Sequence, residues 1–294
     1  MLLLTGATGS IGSRLLPLLL ERGKDVRCLV RDPRKLGARR VDVQIALGDL
    51  ADLADPHTVR QALRGVDTVL HLAATIRDQP PRRIEELNGL ATVRLLDAAE
   101  RTGVRRFVFF SALDTGAAQR TRFFRAKWVA EEAVRSSSLE TSVFAPSIVY
   151  DHSDPWITLL RRFSFLPVLP VSGEGRACFQ PIWARDVAEC VVAALAGEEM
   201  RPRYELAGPE TLTYDDMSDL VSRIAGRPRD LVHVPLPAVK ASLVGLRAIF
   251  GEAVFATWEE AELMEVPMVS ERGTADAQAL GVEPRRMRDV LEAA

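Results

Sequence analysis

Leu2-Leu3-Leu4-Thr5-Gly6-Ala7-Thr8-Gly9-Ser10-Ile11-Gly12 stands at the start of the chain, and its reading decides the fold. Three apolar residues run straight into a glycine-rich turn. With no basic segment before them, they read as a first strand, Leu2–Leu4, rather than as a secretory leader. Helical periodicity then runs from Ile11 to Glu21 and stops at Gly23. The same alternation continues outward. Strands are predicted at Val26–Val30, Val43–Leu47, Val66–Leu72, Arg106–Phe110 and Thr141–Phe144, with helices at Glu85–Arg101 and Arg122–Arg135. Short apolar runs alternating with helices predict an α/β fold, a doubly wound parallel sheet built from β–α–β units.

After Pro146 the rhythm breaks. Pro155, Pro167, Pro170 and Pro181 punctuate the next stretch before helices at Ala184–Ala196 and Tyr214–Ile224. The expected division is residues 1–150 as the sheet domain and 151–294 as a smaller substrate lobe. Part of that lobe returns to the sheet through a strand at Tyr204–Leu206. The apolar stretch Leu236–Phe250 reads as a core helix, with a partner-facing surface helix as the alternative.

Of 294 residues, 47% are hydrophobic and 27% charged, enough for a large core. The net charge of −2 gives no reason to expect a nucleic-acid partner. Cys28, Cys178 and Cys190 lie far apart without metal-ligand spacing, so free thiols in a reducing cytoplasm are expected and no metal. No apolar run approaches the roughly 18 residues of a membrane span.

The glycines of the first turn carry the chemistry. Placed between a strand and a helix, Gly6 permits the tight turn, Gly9 admits a diphosphate to the backbone, and Gly12 lets helix and strand pack closely. The helix N-terminus, from Thr8 through Ser10 and Ile11, then meets the phosphate charge. The expectation is a Rossmann domain binding NAD(P)(H). The end of the second strand, Leu29-Val30-Arg31-Asp32-Pro33-Arg34-Lys35, bears on the ribose. With Val30 at the usual acid position, Arg31 can clamp a 2′-phosphate, which favours NADP(H) over NAD(H). Two alternatives stay open: Asp32 as a ligand of the ribose hydroxyl, or a solvated charge cluster.

Across most of its length the sequence resembles the short-chain dehydrogenase/reductase superfamily in its extended or atypical branch. The segments that carry the resemblance are Gly48-Asp49-Leu50, His71-Leu72-Ala73-Ala74, Asn88 with Leu95-Leu96-Asp97-Ala98-Ala99, and Pro181-Ile182-Trp183-Ala184-Arg185-Asp186-Val187-Ala188. The subgroup most resembled is that of NmrA-like proteins and accessory nucleotide-binding subunits of respiratory complex I. Phe255-Ala256-Thr257-Trp258 and Gly281-Val282-Glu283-Pro284 support it weakly. The resemblance implies that Asp49 and Leu50 meet adenine, that Leu72, Ala73 and Ala74 line the cofactor, and that Pro146 and Ile148 border it.

In that family a Ser or Thr orients the substrate, a Tyr moves the proton, and a Lys binds the ribose and lowers the Tyr pKa. Ser111 and Lys127 match the first and last; the Tyr position holds Phe123. Phenylalanine has no proton to give, so the family's acid–base cycle cannot run here. Tyr150, just after the sixth strand, is the remaining candidate donor. Ala145 and Asp151 replace an Arg and a Gly that relatives usually place around Pro146 and Tyr150, so the substrate end differs from that of a sugar epimerase. Three functions follow. The first is an NADP(H)-dependent oxidoreductase acting without the Tyr on a small apolar substrate in the second-lobe cleft, lined by Trp156, Phe163, Phe165 and Phe179. The second is an NADP(H) sensor. The third is an accessory subunit of a quinone-linked assembly with a protein partner.

Overall fold

In a computed structural model that describes residues 1–50, 56–250 and 256–293, seven parallel strands form one sheet. They are β1 (Leu2–Thr5), β2 (Val26–Val30), β3 (Gln44–Leu47), β4 (Thr68–His71), β5 (Arg106–Phe110), β6 (Glu140–Pro146) and β11 (Arg203–Leu206). Their order is β11-β6-β5-β4-β1-β2-β3. The strand order reverses beside β1, and in doubly wound sheets the ligand crevice opens at that reversal, beyond the carboxyl ends of the strands.

Period-two alternation sorts the side chains. Leu2, Leu4, Cys28, Val30, Val108 and Phe110 face one side, where they bury against α1 (Ser10–Glu21) and α6 (Ala184–Ala196). Leu3, Leu29, Val69, Phe107 and Phe109 face the other, against α2 (Pro56–Leu63), α3 (Ala91–Arg101) and α4 (Arg122–Arg135). Because both faces are covered, the strands read as continuous apolar runs. A short π-helix, Glu86–Leu90, leads into α3. The seventh strand and α6 come from beyond residue 150, and rings of Phe110, Phe144 and Tyr204 stack across β5, β6 and β11 at 5.4 and 4.8 Å.

The second lobe has its own core. Tyr150, Ile157, Leu160, Phe179, Met217, Val221 and Met287 come together from α5 (Pro155–Phe163), α7 (Tyr214–Ile224), α11 (Met287–Glu292) and the connecting strands. Those strands pair as β7 (Val149–Tyr150) with β10 (Ile182–Trp183), β8 (Leu169–Ser172) with β13 (Leu231–Val234), and β9 (Cys178–Phe179) with β12 (Leu212–Thr213). The remaining helices are α8 (Leu236–Phe250), α9 (Trp258–Leu263) and α10 (Ala275–Ala279).

Two expectations change here. The stretch Leu236–Phe250 is a helix, but a surface one. Among its described side chains only Leu236, Val239, Leu243 and Leu246 are partly or fully covered, along one stripe, while Pro237, Lys240, Ser242 and Val244 face water. An apolar run with Pro, Lys, Ser and Gly between its apolar residues can bury one face and no more. The aromatics expected to line a cleft do not converge on one. Phe179 is core, Trp156 packs against that same core, and Phe165 is exposed with the Arg227 guanidinium 4.0 Å over its ring. Phe255, part of the C-terminal resemblance, lies outside the described residues. Among the described residues no helix is long and apolar enough to cross a membrane, and none of their His, Cys, Asp and Glu side chains cluster as a metal site.

Candidate cofactor and substrate site

The turn after β1 is shaped by its three glycines. Gly6 has φ +74°, and a Cβ there would lie 2.7 Å from the Ala73 nitrogen. A Cβ on Gly12 would lie 2.1 Å from the Gly6 carbonyl oxygen, so any side chain would force helix and strand apart. Gly9 differs: a Cβ would meet only Gly6 O, at 3.4 Å, so the open side of Gly9 is left to a ligand. Gly9 is also the N-cap of α1 and brings no side-chain acceptor to its first turn, which carries no acidic residue. Uncapped amides with the positive end of a helix dipole make an anion site.

That site opens into a cavity of about 250 Å³ lined by Gly6, Ala7, Thr8, Gly9, Arg31, Asp32, Lys35, Asp49, Leu50, Leu72, Ala73, Ala74, Thr75 and Gln79, among others. It gathers most of the residues expected to hold a dinucleotide. Ile11 and Gly12 pack instead into the core beneath the loop, and the Ser10 hydroxyl donates to Asp154 in the second lobe at 2.9 Å. One turn on, Arg14 grips Asp151 with two hydrogen bonds, of 2.6 and 2.8 Å. Burial pushes the Asp151 carboxyl up, but the hydrogen bonds from Arg14 and the His152 amide, with the Arg14 charge and a smaller contribution from Trp183, together outweigh it and hold the group below the usual carboxylate range. The residue that stands in for a turn glycine therefore latches the phosphate-loop helix to the second lobe.

At the rim, Asp32 caps the short 3-10 helix Pro33–Val41 by accepting from the Arg34 backbone at 3.0 Å. It also takes two bonds from the Arg34 guanidinium. A carboxylate so committed is a poor ligand for a ribose hydroxyl. The Arg31 guanidinium lines the cavity and meets no carboxylate among the described residues.

Under the floor, His71 is fully buried. The Thr92 hydroxyl donates to Asn88 O, so His71 Nε2 donates to Thr92 at 2.9 Å and Nδ1 accepts from Thr5 at 2.7 Å. Desolvation, with the nearby Lys127 charge, lowers its pKa to about 3, so the ring is a neutral brace between β4, β1 and α3.

Ser111, Phe123 and Lys127 are not among the residues lining the cavity; they sit at the end of β5 and on α4, near the segment around α9. The Ser111 hydroxyl is buried, with no partner found among the described residues. Lys127 is 2% exposed; its Nζ donates to Phe110 O at 2.6 Å and lies 4.8 Å from the Phe109 ring centre. Desolvation brings its pKa down to about 7, against a smaller raising effect of Glu131. Phe123, one helical turn earlier, has its ring centre 5.9 Å from Lys127 Nζ. Phe123 packs with Phe124, Leu263, Met264, Val266 and Met268. The family resemblance singled out Ser111, Phe123 and Lys127; nothing local signalled that residues 263–268 would pack against Phe123, because that contact spans about 140 residues of sequence.

Tyr150 is fully buried in the second-lobe core beside Ile157, Phe179 and Met217, a core that shares Met264 and Met268 with the Phe123 cluster. Its hydroxyl has no partner, and burial followed by the Asp186 charge pushes its pKa well above the ordinary phenol value. Pro146 is buried at the end of β6, and Ile148 belongs to the second-lobe core.

The comparisons agree with this geometry. A family model described as NAD(P)H-binding matches residues 6–198. An NAD(P)H azoreductase of Xenophilus azovorans is 31% identical over 84% of this chain and 81% of its own length. A mitochondrial NADH dehydrogenase [ubiquinone] 1 alpha subcomplex subunit 9 of Arabidopsis thaliana is 28% identical over 80% of this chain; the chain spans 60% of that relative's length. A short-chain dehydrogenase/reductase superfamily protein of Agrobacterium tumefaciens, solved with bound NAD, shares the fold at a TM-score of 0.72. It is 22% identical, over 100% of this chain and 95% of that one. The family-model match covers well over half of the chain, which therefore belongs to the NAD(P)H-binding family, on the short-chain dehydrogenase/reductase fold.

Proposed function

We propose that this protein is an NADP(H)-dependent reductase of a small apolar substrate whose acceptor bond needs no proton from the protein. The observation that carries the reading is Phe123. An apolar ring stands over Lys127 at the position of the family's proton donor, and its neighbours are Leu263, two methionines and a valine. Such a wall favours an apolar ligand, and methionine adapts to ligands of different shape. The bound cofactor would supply the hydride. Gly6, Gly9 and the first amides of α1 would hold its diphosphate, Asp49 and Leu50 its adenine, and Lys127 its nicotinamide-side ribose. Ser111, a buried hydroxyl for which no partner is found among the described residues, would orient the acceptor.

Activated alkenes and azo bonds suit this site. Their second reacting atom takes a proton from water once the hydride has been delivered, whereas an ordinary ketone needs an acid at its oxygen. That one relative is an azoreductase supports the choice. Preference for NADP(H) rests on Arg31 at the rim and on the commitment of Asp32 to Arg34. Three free thiols, two of them buried, suit a reducing compartment such as the cytoplasm.

The test is NADPH oxidation against enones, azo dyes and simple ketones, with NADPH and NADH titrated by fluorescence. Turnover of the first two classes and none of the third is expected. Fast ketone reduction would overturn the reading. Tight NADPH binding with no turnover of any class would favour a second reading, a cofactor-holding accessory subunit, for which the complex I relative speaks.

A further inference from the structure

The loop after β4 lines the cavity with Thr75 and Gln79 and brings a second side chain to Arg31. Arg31 Nη1 donates to Gln79 Oε1 at 2.9 Å, and both residues line the cavity. The Gln79 amide in turn donates to Thr75 Oγ1 at 3.2 Å, whose hydroxyl donates to Arg77 O at 2.8 Å. The loop is braced. Gln79 and Arg82 exchange backbone hydrogen bonds of 3.0 and 2.8 Å, and Asn88 both accepts from and donates to the Thr75 backbone. Asp78 accepts from the Ile84 amide and from Arg122 of α4. Gln79 is therefore presented from a pinned hairpin, 48 positions along the chain from the arginine it meets.

A guanidinium has five N–H donors in a rigid plane, and Gln79 takes one of them. The amide oxygen fixes the direction of that plane without neutralising its charge. A carboxylate at the same place would form an ion pair, cancel the charge and repel a phosphate. We propose that Gln79 is the second determinant of cofactor choice. It positions Arg31 as the receptor of a 2′-phosphate, and its neutrality leaves the arginine's charge free for that group. The proposal rests on the NADP(H) reading and extends it to a residue outside the β2 end, where such choice is usually sought.

Four proteins test it: wild type, Arg31→Ala, Gln79→Met and Gln79→Glu, each titrated with NADPH and with NADH and each checked by thermal melting. Gln79→Met keeps the length of the side chain and removes the acceptor, so NADPH should weaken several-fold and NADH stay within two-fold. Gln79→Glu should weaken NADPH about ten- to a hundred-fold and leave NADH unchanged or tighter. If Arg31→Ala lowers the NADPH-to-NADH preference while Gln79→Glu does not, the role of Gln79 is overturned and the NADP(H) reading stands. If Arg31→Ala leaves the preference unchanged, or wild type prefers NADH, the NADP(H) reading itself fails and this inference with it.

Discussion

The two ends of the site are made differently. At the phosphate end the backbone binds: three glycines, the first turn of α1 and the strand ends of β1, β2 and β4 set the geometry, all within one β–α–β pattern. At the substrate end, side chains from β5, α4 and residues 263–268 must meet, and the meeting depends on how the second lobe docks. Binding of the cofactor and chemistry upon it are therefore separable properties. The chain retains the glycines and the uncapped helix start for the first, while at the second a phenyl ring, Phe123, packs beside Lys127.

The largest effects should separate the three glycines. Gly12→Val drives a side chain into the Gly6 carbonyl, where a Cβ has only 2.1 Å. Backbone cannot yield as a side-chain tip does, so loss of folded protein is expected, seen as failure to give a cooperative melt. Gly9→Val instead points its bulk at the cavity. It should leave the melting temperature within a few degrees while NADPH affinity falls at least about a hundred-fold. Equal affinity for Gly9→Val and wild type would remove the loop from the cofactor site.

At the other end, Phe123→Tyr adds one oxygen on the ring whose centre is 5.9 Å from Lys127 Nζ. General acid catalysis is commonly worth about 10²–10⁴-fold. Ketone reduction with NADPH should rise from baseline toward that range, measured on a ketone panel for both proteins. No gain, with cofactor still bound, would mean that the hydroxyl does not reach the acceptor and that Phe123 is not at the donor position.

The contrast also explains what the sequence disclosed. β1, α1, β2 and the Arg31 rim were legible because each follows from local periodicity and turn chemistry, and seven strands emerged within a residue or two of their ends. Ser111, Phe123 and Lys127 were legible through the same periodicity together with a family resemblance. Gln79 and the cover at Leu263–Met268 were not, since neither lies in a periodic run and both act across long separations. The surface position of α8 was misjudged because an apolar count does not say how many faces of a helix find a partner. For Tyr150, the place after β6 fixes where the backbone goes, and the second-lobe core takes the ring.

A mid-sized effect probes the seam between the ends. Arg14 on α1 and Asp151 after β7 form a bidentate pair whose carboxylate is 5% exposed and whose arginine is 39% exposed. Arg14→Ala strands the buried acceptor, which costs about 1–3 kcal/mol, moderated by water reaching the vacated space. Denaturant unfolding should show that loss, and Arg14→Ala/Asp151→Asn should recover part of it. A single variant as stable as wild type would show that the two lobes stay docked without the latch.

The smallest effect is a matter of pH and tests whether the substrate end is as dry as its packing implies. Burial brings Lys127 down to about 7 from an ordinary value of 10.5. Between those two values the unfolded chain carries a proton on this amine that the folded chain lacks. Stability therefore rises with pH across that window relative to a variant without the amine. Below about pH 7 both states are charged and the full penalty of the buried ammonium is felt. Lys127→Met should accordingly be most favoured over wild type near pH 6, with wild type regaining on the order of 1 kcal/mol by pH 7.5. Chemical denaturation of both proteins at the two pH values measures the difference. Parallel profiles would show that Lys127 keeps an ordinary pKa, hence that water reaches it, and the apolar character assigned to the Phe123 end would fall with that result.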